Sequence, residues 1–390
     1  MGLLEVKQED NNKIAIVVVG YNRIGSIIRL LNSLQAAKYE HEDIPLVISI
    51  DASGDEELYD YVRQFEWEHG TKYVNIQKER LGLRGHILQC GGLTQYFRAV
   101  IILEDDIFVS EYFYSYVEQA VDFYYNEDRV GGISLYQNEI MRDLPVIYMN
   151  DGSDTYLKQA PASWGECWTN RQWRQFKAWY DDFTDDRFMG LDIPEHVKNW
   201  KKAWSKYFYA YLKETNRYFV YPQVSHTTCF VDAGEHSSVT TSVGQANLIM
   251  GTHKYYFRSF DEMVRYDSYN NNEAIYEWLG LSQDELCIDF CCNKINIRKC
   301  RYLLTPALLE CKVIKSFAMT MRPVELNIKY GIEGKDLFLY DTIDGNINSI
   351  SKRRPLSIAF FHLRTFDTGL LRDYVFLHLK QTIKRKLRLI

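Results

Sequence analysis

The sequence predicts an α/β fold in which a mostly parallel sheet is flanked by helices and followed by a smaller mixed region. Two observations lead to this prediction. Short runs of apolar, β-branched residues alternate with segments of helical periodicity through the first third of the chain, and polar residues follow these runs where they end. Strands separated by helices form βαβ units with parallel strands, and ligands bind beyond the carboxyl ends of such strands. A binding site is therefore expected at the strand ends.

Four strands are predicted before residue 104 from their apolar runs. They cover residues 14–19, 46–50, 73–76 and 100–103. The first is a continuous β-branched run, which is typical of a parallel strand buried on both faces. Helical periodicity separates these runs at residues 27–34 and 56–67, and it returns at 111–125, where Ser110 is the candidate cap.

The length of 390 residues exceeds one ordinary domain. We predict a first domain over residues 1–245, in two halves at 12–110 and 111–245, because the alternation of strands and polar strand ends fades after it. Residues 246–390 are predicted to form a smaller α+β region that ends in a basic amphipathic helix, with an apolar residue at every fourth position from Val375 to Leu387. Three roles fit such a helix: it lies on an anionic membrane surface, docks on a partner, or closes the second domain.

Charge and hydropathy exclude several classes of protein. The formal net charge of −6 argues against a general nucleic-acid binder, which normally has a basic surplus. The first residues lack the basic flank and apolar run of a secretion signal, and no apolar stretch is long enough to span a bilayer. We therefore predict a cytoplasmic protein, with peripheral contact to the inner face of the cell membrane if the basic helix binds lipid.

Three carboxylates, Glu104, Asp105 and Asp106, follow the fourth predicted strand. Carboxylates at the end of a buried strand are costly unless a cation pairs with them, and hard oxygen ligands favour Mg²⁺ or Mn²⁺ over zinc. Because side chains alternate along a strand, the three cannot all point the same way. We expect Asp106 to bind the metal, with Glu104 or Asp105 orienting waters or substrate. The competing interpretation is a solvated acidic turn.

Polar residues at the other strand ends suit a nucleotide. Tyr21, Asn22 and Arg23 follow the first strand, and Asp51 follows the second. Asp51 either accepts the imide N–H of a uracil ring or supports its own turn. Arg84 lies in a glycine-flanked run, where it either pairs with phosphate or remains a surface arginine.

An aromatic segment later in the chain is a candidate acceptor site. Glu166 lies between Trp164 and Trp168. Indole faces bind the apolar face of a sugar, and a carboxylate beside them can deprotonate a hydroxyl group. A purely structural tryptophan cluster is the alternative. His226 and His236 belong to a second polar segment, and His236 is a candidate second metal ligand, although a lone histidine is more often structural.

These motifs, in this order, resemble a known enzyme family. Gly20-Tyr21-Asn22-Arg23, Ser49-Ile50-Asp51 and Leu103-Glu104-Asp105-Asp106 resemble family 2 glycosyltransferases of the GT-A fold. The likeness is greater still to the Glu-Asp-Asp enzymes related to eukaryotic N-acetylglucosaminyltransferase I. The later segments at 163–168, 221–222 and 232–236 resemble bacterial relatives that build surface polysaccharides.

The resemblance implies an inverting transfer of a sugar from a UDP-sugar, with Mn²⁺ or Mg²⁺ as cofactor, to a saccharide or lipid-linked saccharide acceptor. Residues 12–110 would be the nucleotide-sugar half of the first domain and residues 111–245 the acceptor half. The site residues that it implies are Asp106 for the metal, Glu104 and Asp105 for ribose and sugar, Asp51 for uracil, and Tyr21, Asn22, Arg23 and Arg84 for the rest of the nucleotide.

One position departs from the resemblance. Related enzymes take the catalytic base from a Trp-Asp pair, and the matching pair here is Trp204-Ser205. Serine is no general base at neutral pH, so Glu166 is the preferred substitute and Asp192 the second. The departure leaves open a non-catalytic scaffold that binds a nucleotide-sugar. The shared strand-helix beginning also leaves open a sugar nucleotidyltransferase.

Overall fold

The computed structural model describes residues 11–137, 140–141, 144–232, 244–251, 254–292, 294, 300–347, 361 and 367–386. The chain divides into two compact units. The first comprises Met1–Glu139 and Tyr148–Ala274, and the second Ile140–Ile147 and Ile275–Ile390. The boundary predicted at residue 245 falls inside the first unit, because the later strand Arg265–Tyr266 adds to the sheet of that unit.

The strands of the described residues are β1 (Ile14–Gly20), β2 (Leu46–Ile50), β3 (Lys72–Ile76), β4 (Ala99–Glu104), β5 (Ile107–Val109), β6 (Val130–Ser134), β7 (Ile140–Met141), β8 (Leu144–Pro145), β9 (Thr155–Lys158), β10 (Glu166–Thr169), β11 (Tyr218–Pro222), β12 (Thr227–Cys229), β13 (Arg265–Tyr266), β14 (Leu286–Ile288), β15 (Tyr302–Thr305), β16 (Glu310–Phe317) and β17 (Leu337–Asn346). The four strands predicted before residue 104 correspond to β1 to β4, within one residue at each end.

The α-helices of the described residues are α1 (Ile24–Ala36), α2 (Glu56–Gln64), α3 (Gly82–Gly91), α4 (Phe113–Tyr124), α5 (Asn170–Asp182), α6 (Glu195–Lys198), α7 (Ser205–Glu214), α8 (Ala274–Leu279), α9 (Leu326–Lys329) and α10 (Thr368–Lys386). Local caps start two of them: Asp55 Oδ1 accepts the Leu58 N–H of α2 at 3.1 Å, and Thr169 with Gln172 forms a capping box at α5. Helix α4 begins at Phe113, later than its predicted start after Ser110.

A nine-stranded sheet runs through the first unit in the order β13-β9-β11-β6-β10-β4-β1-β2-β3. Five of its eight pairings are parallel, and β10 is antiparallel to both of its neighbours. Every residue of β1 and β2 is buried, which explains why these strands read as continuous apolar runs. The predicted α/β class, with a largely parallel sheet flanked by helices, is confirmed.

The strand register brings the predicted polar residues to one edge of the sheet. Val19 of β1 pairs with Glu104 of β4, and Gly20 pairs with Ile50 of β2. The three strands therefore end almost level. Residues 21–23, Asp51 and residues 105–106 follow them at that edge, where backbone groups leave the sheet and a ligand can approach.

The second unit has its own sheet, in the order β14-β15-β17-β16 with one parallel and two antiparallel pairings. Its core includes Ile275, Leu286, Ile288, Leu304 and Phe317. This is the smaller mixed region that the sequence predicts. In the described residues, no helix combines the length and the apolar character needed to cross a membrane.

Replacing Gly165 with alanine is expected to lower the free energy of unfolding by about 2 kcal/mol. Gly165 has a φ of +101° and belongs to the Ser-Trp-Gly segment. A Cβ there would lie 2.9 Å from Thr227 Cγ2, so backbone strain and crowding both oppose the substitution. Denaturant unfolding measures the loss.

Gly92→Ala is the matched control for this substitution. Gly92 has a φ of −60°, and no atom lies within 4 Å of the Cβ position. Its replacement should raise the free energy of unfolding, by about 1 kcal/mol at most. If both variants were as stable as the parent, the conformational requirement at Gly165 would be refuted.

Candidate active site

A cleft at the carboxyl ends of β1, β2 and β4 encloses about 240 Å³; we call it the strand-end cleft. Its lining combines the turn after β1, the start of α3, the acidic cluster and the segment after β12. The lining residues are Val19, Gly20, Tyr21, Asn22, Arg23, Asp51, Arg80, Gly82, Leu83, His86, Glu104, Asp105, Asp106, Trp164, Cys229, Val231 and Asp232. The structure thus brings together seven of the residues proposed from sequence, namely Tyr21, Asn22, Arg23, Asp51, Glu104, Asp105 and Asp106, with Trp164 beside them.

Arg23 is the cation at the centre of the acidic cluster. Its Nε donates to Asp105 Oδ2 at 3.1 Å, its Nη2 pairs with Asp105 Oδ1, and its Nη1 donates to Asp106 Oδ2 at 3.2 Å. Nη1 also donates to the Asp232 carbonyl oxygen at 3.0 Å. One guanidinium therefore serves two carboxylates, which leaves one negative charge of the pair uncompensated. That charge is available to a second cation.

Burial governs the protonation of the first two acids in the cluster. It raises the pKa of Glu104 to about 8, and the neighbouring charges of Asp106 and Asp105 add to this effect. It raises the pKa of Asp105 to about 6, although the Arg23 guanidinium opposes the rise. Trp204 Nε1 lies 3.5 Å from Glu104 Oε1. Each further negative charge in this cluster is therefore costly unless a cation enters with it.

Asp232 ties the segment after β12 to helix α1. Burial alone would raise its pKa, but the hydrogen bonds from Arg29 and from Ser26 Oγ, the latter at 2.7 Å, lower it below its ordinary value. Val231 before it has a φ of +45°, a conformation that costs a β-branched residue on the order of 1–2 kcal/mol. Asp232 and Arg29 were not among the proposed site residues, although Asp232 opens one of the motifs that carry the family resemblance.

Asp51 accepts hydrogen bonds from the backbone at the start of helix α3. Its Oδ1 accepts the N–H groups of Ala52 at 2.9 Å and Leu81 at 2.8 Å, and its Oδ2 accepts the Gly82 N–H at 2.9 Å. A carboxylate has about four acceptor positions, so one remains for a ligand. Beside it the Arg80 guanidinium lies 4.6 Å from the centre of the Tyr21 ring.

His86 should make the protein less stable in acid. Its ring is buried, and its Nε2 lies 2.7 Å from Ser49 Oγ. Burial lowers its pKa from 6.5 to about 4, against the opposing charge of Asp51. As the pH falls from 6.5 toward 4, the unfolded chain gains a proton that the folded chain does not bind. The resulting loss is on the order of 3 kcal/mol, and it is absent above pH 6.5.

The measurement is denaturant unfolding of metal-free protein at pH 7.5, 5.5 and 4. His86→Gln should lose less stability over this range than the wild type. His41→Gln, at a side chain that is 69% exposed, should follow the wild type. Identical pH profiles for wild type and His86→Gln would contradict a buried neutral His86.

Several residues proposed from sequence lie away from this cleft. Arg84 lies in the first turn of α3 and donates to the Tyr207 hydroxyl group at 2.6 Å. Asp192 accepts the Tyr269 hydroxyl at 3.1 Å. Trp168 is fully buried and stacks on Phe208 with 5.0 Å between ring centres. None of the three lines either of the two clefts described here.

Glu166 also lies in the interior, which is not where a catalytic base must be. Its strand, β10, is inserted between β4 and β6, and only 1% of the residue is exposed. Burial and the charge of Glu104 raise its pKa well above the ordinary value, and its Oε1 has no hydrogen-bond partner among the described residues. It is therefore a buried acid with a raised pKa that borders neither cleft. His236 lies outside the described residues.

A second cleft of about 340 Å³ adjoins the first; we call it the tryptophan cleft. Its lining residues are Leu83, Glu104, Ser163, Trp164, Trp200, Lys201, Lys202, Ala203, Trp204 and Ser205. Leu83, Glu104 and Trp164 line both clefts. Glu104 is thus a carboxylate shared by the two, and Trp164 is the member of the predicted acceptor pair that reaches a cavity.

The strand-end cleft fits a hard divalent cation held by few protein ligands. In the described part of the chain, no group of three or more His, Cys, Asp or Glu side chains is arranged to hold a metal. Asp106 and Glu104 nevertheless offer carboxylate oxygens to the cleft. Burial raises the pKa of Cys229 well above its ordinary value, so it remains a thiol and does not compete as a soft ligand. Mg²⁺ and similar ions bind in this manner, through one or two carboxylates together with substrate phosphates.

Neither a protein-family model nor a curated protein matches this sequence. Among solved structures, S. aureus TarS 1-349 is 14% identical with a TM-score of 0.36, and the match covers 55% of this chain and 59% of that one. GalNAc-T7 with UDP, GalNAc and Mn²⁺ is 12% identical with a TM-score of 0.37, over 55% and 43% of the two chains. The mannosyltransferase PcManGT from Pyrobaculum calidifontis, in complex with GDP-Man and Mn²⁺, is 16% identical with a TM-score of 0.27, over 34% and 39%. The matched region spans about three-fifths of TarS 1-349.

Proposed function

We propose that this chain is a metal-dependent, inverting glycosyltransferase of the GT-A type. It transfers a hexosyl or N-acetylhexosaminyl group from a UDP-sugar to a saccharide or lipid-linked saccharide in surface polysaccharide synthesis. The observation that carries the proposal is the convergence of Glu104 to Asp106, residues 21–23 and Asp51 in one cleft at the ends of three parallel strands. Nucleotide ligands are bound at such strand ends in open α/β sheets.

The nucleotide would occupy the part of the cleft between Tyr21, Asp51 and Arg80. The remaining acceptor position of Asp51 suits the imide N–H of uracil. Tyr21 offers an aromatic face, and Arg80 offers a positive charge for phosphate. Arg84 does not share this role, because its guanidinium is engaged with Tyr207.

Asp106 would hold Mn²⁺ or Mg²⁺ with the help of Glu104 or Asp105. When bound, the ion acts as a Lewis acid that stabilises the departing diphosphate. Arg23 pairs with both Asp105 and Asp106, so one carboxylate charge is left for the ion to neutralise. A diphosphate adds about two negative charges and the ion two positive ones, so the pair enters with little change in the net charge of the buried cluster.

Glu104 replaces Glu166 as the proposed proton acceptor, because its pKa of about 8 lies close enough to neutrality for a fraction of the side chain to be ionised and to accept a proton. It borders both the strand-end cleft and the tryptophan cleft, so an acceptor hydroxyl group in the second cleft could approach a donor sugar in the first beside this carboxylate. Inversion requires attack on the face opposite the leaving diphosphate. Because Glu104 lines both clefts, it can accept the hydroxyl proton during that attack.

The last helix supports a location at a membrane surface. Helix α10 exposes apolar side chains, among them Tyr374, Val375, Phe376 and Leu377. Four consecutive residues cannot share one face of a helix, so its apolar surface is wider than the stripe predicted from sequence. We propose that this helix, with its lysines, contacts the inner face of the cell membrane where a lipid-linked acceptor would be.

A panel of UDP-sugars assayed for hydrolysis tests the proposal, with MnCl₂ in one arm and EDTA in the other. Hydrolysis of at least one UDP-sugar in the Mn²⁺ arm alone is the expected result. Pyrophosphate release from UTP and a sugar phosphate would instead identify a nucleotidyltransferase. UDP binding without turnover of any donor, with or without saccharide acceptors, would indicate a non-catalytic scaffold and contradict the proposal.

A further inference from the structure

We infer that the tryptophan cleft binds the acceptor, and that it selects a saccharide carrying a negative charge, as phosphate or carboxylate. The inference rests on the proposed function and adds to it the chemical class of the acceptor. Three features support it: partly exposed indole walls, two lysines at the cleft, and walls shared with the strand-end cleft.

The walls of the cleft offer apolar faces in fixed positions. Trp164 and Trp200 are partly exposed, and Trp164 packs edge-on against Tyr136 with 4.8 Å between ring centres. Trp204 is buried against Trp168 at 5.5 Å. Rigid indoles lose little conformational entropy on binding and cover the apolar face of a sugar ring. The volume of about 340 Å³ lies within the ordinary range of small-ligand sites.

Lys201 and Lys202 provide positive charge that the chain does not neutralise. Both side chains are exposed, and neither forms an ion pair with any residue that the structure describes. Lys198, three residues earlier, is paired with Glu195 at 3.8 Å. In a protein with a net charge of −6, two unpaired lysines at an aromatic cleft favour an anionic ligand over a neutral one.

The shared walls give the cleft its place in the reaction. Leu83, Glu104 and Trp164 border both cavities, so a hydroxyl group of a saccharide in the tryptophan cleft can lie beside Glu104. The lysines line the tryptophan cleft and not the strand-end cleft. The negative group of the acceptor would therefore be held away from the diphosphate of the donor, which keeps like charges apart.

The experiment compares ligands that share one sugar ring and differ only at C6. Methyl glucoside, methyl glucuronide and methyl glucoside 6-phosphate, with the matching galactosides, are titrated against the full chain saturated with UDP and Mn²⁺, and dissociation constants are read by NMR. At least one charged ligand should bind roughly five- to tenfold more tightly than its neutral counterpart, since each exposed charge pair contributes a few-fold. A gain with phosphate, with carboxylate or with both identifies which charged group the cleft accepts.

Variants separate charge recognition from shape. K201Q/K202Q should remove most of the preference for the charged ligand and leave the affinity for the neutral ligand unchanged. K177Q/K213Q, with the same change of net charge outside both clefts, should preserve the preference. Trp200→Ala should lower the affinity for charged and for neutral ligands by the same factor.

Three outcomes would overturn the inference: no charged ligand binds more tightly than its neutral counterpart, the preference survives K201Q/K202Q, or no saccharide binds while UDP and Mn²⁺ do. UDP and Mn²⁺ binding is recorded in the same samples. If the wild type binds neither UDP nor Mn²⁺, the proposed function itself is refuted. If it binds both and one of the three outcomes above is still observed, only the inference about the acceptor has failed.

Discussion

Asp106→Ala is expected to lower Mn²⁺-dependent UDP-sugar turnover by about 10³-fold, which corresponds to about 4 kcal/mol of transition-state stabilisation. Asp106 contributes a carboxylate to the strand-end cleft, and its described ion pair is with Arg23, a residue that it shares with Asp105. Alanine removes the proposed metal contact. The fold should survive, because removing one of two acids that share a cation relieves charge in a buried cluster.

Initial rates of UDP release, with thermal unfolding as the check on folding, measure this effect. Asp186→Ala is the matched control, since Asp186 is exposed and lines neither cleft; its turnover should equal that of the wild type. If folded Asp106→Ala turned over UDP-sugar at a rate within a few-fold of the wild type, Asp106 would not be a metal ligand.

Arg23→Ala is expected to lower the free energy of unfolding by about 3 kcal/mol in metal-free buffer. Its side chain is 23% exposed, and its partner carboxylates on Asp105 and Asp106 are 6% and 14% exposed. Removing the guanidinium leaves two partly buried acids without their cation. Mn²⁺ should restore stability to this variant to a greater extent than it stabilises the wild type, because the ion then meets an acidic cluster without a competing arginine.

Denaturant unfolding in EDTA and in MnCl₂ tests both parts of this expectation. Arg63→Ala serves as control: its ion pair with Asp60 is more than half exposed on both sides, so its stability should stay within about 0.5 kcal/mol of the wild type. An Arg23→Ala protein as stable as the control in EDTA would show that the ion pairs contribute nothing. If Mn²⁺ stabilised the variant and the wild type equally, Arg23 would have no influence on metal binding.

The parallel sheet and its polar edge could be predicted from the sequence because both depend on short-range patterns. Apolar runs mark β1, β2 and β4, and parallel pairing then places whatever follows each strand at one edge. Residues 21–23, Asp51 and residues 105–106 reach the same cleft for this reason. Their roles there remain predictions.

Other site residues depend on contacts that no local pattern reveals. Asp232 meets Arg29 across 203 positions of sequence, and Trp200 reaches the second cleft through an irregular segment. Arg80 lies just before the glycine-flanked run and lines the strand-end cleft, whereas Arg84, within that run, is inside α3 and donates to Tyr207. The start of α3 at Gly82 decides which of the two arginines lines the cleft, although they are only four residues apart.

The Trp-Gly segment shows how a motif can resemble a site and yet be interior. Glu166 and Trp168 lie two positions apart on β10 and so point to the same side of the sheet, where Trp168 packs against Phe208 of α7. The antiparallel insertion of β10 between β4 and β6 buries this strand. Sequence alone gave no sign of that insertion, because it joins strands from distant parts of the chain.

Calorimetric titration of UDP, with Mn²⁺ present or with EDTA, tests the proposed role of the strand-end cleft most directly. The wild type should bind UDP at least about tenfold more tightly with Mn²⁺ than with EDTA, a coupling of about 1.4 kcal/mol or more. Asp106→Ala should lose this difference. Equal UDP affinity with Mn²⁺ and with EDTA in the wild type, or no UDP binding in either, would contradict a metal-dependent nucleotide-sugar site at Glu104, Asp105 and Asp106.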